Sequence, residues 1–78
     1  MSPTFTKEKG YRFFTWSSEE GRSHIHVVKE NNQCKFWLEP SVELSYNSGF
    51  KEFELNQILK IIKKNETKFK EIWREHFC

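Results

Sequence analysis

Ser23-His24-Ile25-His26-Val27-Val28 is the stretch whose reading decides the fold. Its apolar members Ile25, Val27 and Val28 are β-branched, which favours a pleated strand over a helix. Successive side chains of a strand point to opposite faces. His24 and His26 therefore share one face, and Ile25 and Val27 share the other. A strand with apolar residues on one face needs a covering layer there, and it needs strand neighbours for its backbone groups.

Those neighbours are legible on both sides. Upstream, Tyr11-Arg12-Phe13-Phe14-Thr15-Trp16 is aromatic-rich and reads as a strand. Thr4-Phe5-Thr6-Lys7 reads as a first strand, joined to it through a turn at Glu8-Lys9-Gly10. Ser17 to Ser23 is a polar loop. Downstream, Glu30-Asn31-Asn32 is a turn, and Gln33-Cys34-Lys35-Phe36-Trp37-Leu38 is the next strand. There Cys34, Phe36 and Leu38 face inward and Trp37 faces out. Pro40 stops that strand because it has no N–H for a ladder. Val42-Glu43-Leu44 adds a short edge strand, and Tyr46-Asn47-Ser48-Gly49-Phe50 reads as a turn.

After that turn the apolar period changes from two to helical. Leu55, Ile58, Leu59 and Ile62, then Phe69, Ile72 and Trp73, fall on one stripe. Asn65 interrupts it and reads as a break, with Asn65 capping the second helix. The fold class is α+β: an antiparallel β-meander of four to five strands, then one kinked or two C-terminal helices packed on one sheet face. The stripe Leu55/Ile58/Leu59/Ile62 should pack on Phe13, Ile25 or Val27, Phe36 and Leu38.

Length and composition set the limits. The 78 residues read as one domain, 1–78, with a core that a chain this short must build from large side chains. Eight Phe and three Trp supply them. The net charge of +2 is mildly basic and does not itself imply nucleic acid. Lysines cluster in the C-terminal third, but interleaved glutamates dilute them into a solvated helix face. No helix-turn-helix spacing is visible. Two cysteines, Cys34 and Cys78, do not make a disulfide framework, and no apolar run approaches the length of a membrane span. The expected location is cytoplasmic, with no membrane partner.

The His24/His26 pair is the chemical constellation of the chain. Two imidazoles on one strand face can share a divalent metal ion if a third ligand joins them, and Glu39, Glu43, Cys34 and His76 are the candidates. The same pair can act as general base and acid on RNA, with Arg12, Arg22 or Lys35 holding the phosphate. The structural alternative is that both rings cover the sheet, bond nearby loops or touch a protein partner. Trp16 and Trp73 read as core volume, whereas Trp37 lies opposite the inward face. Trp37, Tyr46 and Asn47 are candidates for contact with a partner. Gly-rich phosphate loops and nucleophile triads are absent from the sequence.

Gly10-Tyr11-Arg12-Phe13-Phe14, His24-Ile25-His26-Val27 and Lys35-Phe36-Trp37-Leu38-Glu39-Pro40 together resemble a small bacterial family, the domain of unknown function family forty-one-sixty. The similarity continues through Leu44, Asn47, Gly49-Phe50, Glu54-Leu55, Asn65 and Trp73 to Phe77. It implies a gene that sits beside another small gene in a toxin–antitoxin-like pair, and hence a protein partner encoded by that neighbour; RNA, from the acid–base reading of the histidines, is the second partner class. Two departures stand out. Family members often carry two prolines before the His-x-His stretch, where this chain has Arg22-Ser23. They also often have Ser or Thr as the helix N-cap, where Lys51 stands; the bond so lost is worth about 1 kcal/mol.

Overall fold

A computed structural model describes residues 4–15 and 22–77, with side chains for 6–15 and 22–75. Five strands come first: β1 (Thr4–Glu8), β2 (Tyr11–Phe14), β3 (His24–Lys29), β4 (Asn32–Trp37) and β5 (Glu43–Ser48). Two helices follow, α1 (Glu52–Lys64) and α2 (Glu66–Phe77). The strands form one antiparallel sheet in the order β1-β2-β3-β4-β5. The α+β meander is therefore as the sequence predicts, with five strands and two helices. Trp16, Cys78 and the side chains of His76 and Phe77 lie outside the described residues.

The turns follow from local chemistry. Lys9 and Gly10 both have positive φ, 53° and 85°, which matches the right-handed twist of a two-residue hairpin. Between β3 and β4 the positive φ of 56° falls on Glu30, so Glu30-Asn31 form the turn and Asn32 already belongs to β4. β5 departs most from expectation. It runs through Tyr46, Asn47 and Ser48, which the sequence reading assigned to a turn. Pairing with β4 overrides the turn propensity of Asn47 and Ser48, because Gln33, Cys34 and Lys35 would otherwise lack a ladder partner on that side.

The turn into α1 is confined to Gly49 and Phe50. The Asn47 side chain spans it: Nδ2 donates to the Phe50 carbonyl (2.9 Å) and Oδ1 accepts from the Phe50 N–H (3.1 Å). Gly49 has a φ of 101°, and a Cβ there would collide with Asn32 Oδ1, so two independent constraints require glycine. Lys51 offers no side-chain acceptor, yet Glu54 accepts its backbone N–H at 3.0 Å and preserves half of a capping box. Asn65 separates the helices as predicted. Its amide, however, donates back to the Ile61 carbonyl at 2.9 Å, so it closes α1 instead of capping α2.

The core lies between one sheet face and the helices. Phe13, Ile25, Val27, Cys34 and Phe36 come from the strands, and Ile58, Ile61, Ile62 and Phe69 from the helices. Ile61 is buried, whereas Leu55 and Leu59 only flank the cluster, so α1 is rotated slightly from the predicted stripe. Tyr11 ties the sheet to α1: its hydroxyl donates to Gln57 Oε1 at 2.8 Å, and its ring lies 5.8 Å from that of Phe50.

Two outcomes are expected. Asn47→Ala, which strips both bonds to Phe50, and Gly49→Ala, which forces a side chain onto Asn32, should each lower stability in urea melts by about 1–3 kcal/mol. Burial pushes the Cys34 thiol up to about 12, from 9.0. The folded state thus holds this proton more tightly than the unfolded state. That contribution is intact below pH 9 and is lost progressively between pH 9 and 12. Tyr11, lifted above 10.0 by burial and by Glu54, acts in the same direction. Melting temperature should fall as pH rises above 9, and Cys34→Ala should flatten that fall.

Candidate functional site

Cross-strand pairing places the sequence-predicted residues on the sheet face opposite the core. Directly paired residues of antiparallel strands share a face. Phe14, His26, Lys35 and Tyr46 form one row across β2, β3, β4 and β5. His24, Trp37 and Glu43 form the row beside it. On the other side, Lys7, Arg12, Val28, Gln33 and Ser48 form a third. Alternation alone thus gathers both histidines, Arg12, Lys35, Trp37 and Tyr46 on a single surface.

The two imidazoles touch edge to face, with ring centroids 5.2 Å apart at 90°. Each has further aromatic neighbours. His26 stacks on Phe14 at 5.5 Å and 28°. His24 lies 5.8 Å from Trp37 and 4.7 Å from Trp73. Both are buried, at 2% and 8% exposure. His24 Nδ1 donates to the Arg22 carbonyl at 2.8 Å, which assigns the neutral ring's proton to Nδ1 and makes Nε2 its basic nitrogen. The entry into β3 is fixed by this bond and by the Leu38 N–H donating to the Ser23 carbonyl at 2.9 Å.

The three cations nominated as phosphate contacts all reach this surface. Arg12 lies 4.9 Å over the Phe14 ring. Arg22 and Lys35 each lie 4.5 Å over Trp37. Arg22 also donates from Nε to the Glu39 carbonyl at 2.6 Å and meets the Glu43 carboxylate at 3.5 Å. Ser41 donates to the same carboxylate at 3.1 Å. These contacts tie the segment leading into β3 to the one following β4.

Among the described residues the third-ligand candidates do not converge. Cys34 is in the core on the opposite face, and burial keeps its thiol protonated. Glu43 is held by Arg22 and Ser41. His76 lies outside the described side chains. Among the described residues, no three His, Cys, Asp or Glu side chains gather where they could share an ion. Asn47, nominated for partner contact, spends both ends of its amide on Phe50. Tyr46 is exposed, at 43%.

Trp73 is the member that sequence reasoning missed. The helical stripe marks it as core, and it is buried, but its ring sits on His24. Phe69, one turn earlier, lies 5.8 Å from Phe13 on the core face. The end of α2 therefore lies over the end of the sheet where β3 begins. No sequence signal links Trp73 to His24, since the contact depends on where α2 crosses the sheet. A separate cleft of about 330 Å³, lined by Glu8, Lys9, Gln57, Lys60, Ile61 and Lys64, contains none of the nominated residues. Its rim carries the Lys64–Glu8 ion pair at 2.9 Å.

Among the described residues, no helix is long and apolar enough to cross a membrane. No curated protein and no solved structure matches the chain. A family model does match it over residues 10–74, which span β2 through most of α2 and include every residue of the histidine surface except Lys7. The chain belongs to the family described as Domain of unknown function (DUF4160).

Proposed function

We propose that this is a protein-binding component of a bacterial, cytoplasmic toxin–antitoxin-like gene pair, and that its partner is the product of the neighbouring gene. The observation that carries the reading is β5. Among the described residues it is the last strand of the sheet and pairs with β4 alone, and all six of its residues are exposed. It presents Leu44 and Tyr46 at 44% and 43% exposure beside a row of backbone groups that a partner strand can pair with. The bulge opposite Lys35/Phe36 bends this edge, which guards against indiscriminate pairing and leaves selection to side chains. The burial of both histidines also favours binding over catalysis. A general acid or base must come within about 3 Å of the proton it moves, and these rings are walled by Phe14, Trp37 and Trp73.

A second reading has its own support. Arg12, Arg22 and Lys35 converge on the histidine surface, an arrangement suited to a small ribonuclease with His24 and His26 as acid and base. A divalent metal on the same pair would need a ligand from outside the described side chains.

Co-expression with the neighbouring gene product should yield a complex that survives affinity capture and gel filtration. Leu44→Arg should weaken it at least tenfold; undiminished capture by that variant would remove β5 from the interface. Expression of the chain alone should leave growth of a bacterial host unchanged. Growth arrest by the wild type that His24→Ala/His26→Ala abolishes, together with loss of RNA cleavage by a factor of about 10²–10⁴, would transfer the assignment to the ribonuclease reading.

A further inference from the structure

The cleft of about 330 Å³ lies between the β1–β2 hairpin and α1, at the sheet edge remote from β5. Glu8 and Lys9 line it from the hairpin, and Gln57, Lys60, Ile61 and Lys64 from α1. Those four helical positions are spaced three and four apart, so one stripe of α1 makes the whole helical wall. Three ammonium groups meet one carboxylate in this lining. Two positive charges are thus uncompensated, as many as the net charge of the entire chain. Glu8 is held by Lys64 at 2.9 Å. Lys9 and Lys60 form no ion pair with any described residue.

The polar groups left over are all donors. Gln57 Oε1 accepts from the Tyr11 hydroxyl at 2.8 Å, and its Nε2 has no partner among the described residues. The floor is apolar, since Ile61 is 4% exposed and belongs to the core. The Ile61 carbonyl accepts from the Asn65 backbone N–H at 3.1 Å and from its side-chain Nδ2 at 2.9 Å. The negative end of α1 therefore presents no bare oxygen there to repel an anion. Lys9 adds a second line of argument. It holds a φ of 53° at a turn position that Asn, Asp or Gly fills at lower cost, and it gives the fold no bond in return. Glu30 takes the same conformation at the next hairpin but is no part of this lining. From its place on the rim, the flexible four-carbon stem of Lys9 can carry a charge into the cleft.

A ligand complementary to this lining carries two negative charges, accepts hydrogen bonds at several oxygens and lays an apolar part on Ile61. A phosphate monoester does all three, with a charge of about −1.5 to −2 at pH 7 and three strong acceptor oxygens. A carboxylate brings one charge and two oxygens. The volume is near the lower end of ligand pockets, about 300 Å³, which suits a small molecule with a single ring.

We propose that this cleft binds the phosphate group of a small phosphorylated molecule, with Lys9, Lys60 and Gln57 Nε2 on the phosphate oxygens and Ile61 under the organic part. The site lies at the β1 edge and does not rest on the partner at β5.

The test is a titration of the full chain with phenyl phosphate, followed by proton–nitrogen correlation NMR at constant ionic strength. The amide signals of Lys9, Gly10 and residues 57–64 should shift together and saturate, with a dissociation constant of about 1 mM. Lys9→Gln/Lys60→Gln should raise that constant about tenfold. Glu8→Gln, which releases Lys64, should lower it about twofold. Lys63→Gln/Lys68→Gln, which removes the same charge from exposed positions outside the cleft, should change it by less than about twofold. Inorganic phosphate, which has no apolar part, should bind about threefold more weakly than the ester. Benzoate, with the same ring but one charge, should bind about fivefold more weakly. Circular dichroism of each variant establishes that it is folded. No saturation by about 30 mM ester overturns the proposal. So do shifts spread over all the lysines, equal weakening by the Lys63/Lys68 variant, no gain in Glu8→Gln, or benzoate binding as tightly as the ester. Inorganic phosphate binding as tightly as phenyl phosphate overturns the assignment to an ester.

Discussion

Both faces of β3 are buried, and they are buried in different chemistry. Ile25 and Val27 sink into an apolar core beneath α1, while His24 and His26 lie against Phe14, Trp37 and Trp73. A one-residue slip of register would drive two imidazoles into the core and expose two aliphatic side chains. The central strand is thereby locked in place. Since β2 and β4 both pair with it, their faces follow: Phe13 and Phe36 point to the helices, and Arg12, Phe14, Lys35 and Trp37 point away. The two-sidedness of the whole sheet descends from four alternating residues.

The outer face has a closed end and an open one. Trp73 shuts it at His24, which reaches the Arg22 carbonyl on the other side of its ring. Further along, Tyr46 and the exposed cations meet solvent. The histidines thus serve first as structural rings: they continue the aromatic layer and help anchor the segment leading into β3. A buried imidazole with a fixed backbone partner anchors that segment, and the contacts of Arg22 with Glu39 and Glu43 add to it.

Much of this architecture was legible because it rests on local rules. The alternation in His24–Val28, the Lys9-Gly10 turn, the inward set Cys34/Phe36 and the interruption at Asn65 are each set by a few adjacent residues. The reading failed where a long-range partner outweighed local propensity. Tyr46-Asn47-Ser48 looks like a turn but is held in β5 by β4, and the turn character of Asn47 is spent on its side-chain bonds to Phe50. Ile61 rather than Leu59 fills the core because the orientation of α1 is set by packing. The candidate site was partly legible. The pairing of the histidines follows from spacing, and alternation puts Arg12 and Lys35 on their face, whereas Arg22 precedes β3 and reaches Trp37 and Glu43 through contacts that no local pattern encodes.

By itself the sequence determined the periods: two across each strand and near 3.6 along each helix. From these come the α+β class, the faces of the strands and the side-by-side imidazoles. Only the tertiary structure decided that those imidazoles are enclosed, because the enclosing rings come from β2, β4 and α2, up to 49 positions away in the chain as with His24 and Trp73. It alone decided that Cys34 is remote from them, that Glu43 is held by Arg22, and that β5 is a full-length open edge. Periodicity says which face a side chain takes. What meets that face depends on how distant elements cross, and no local pattern encodes it.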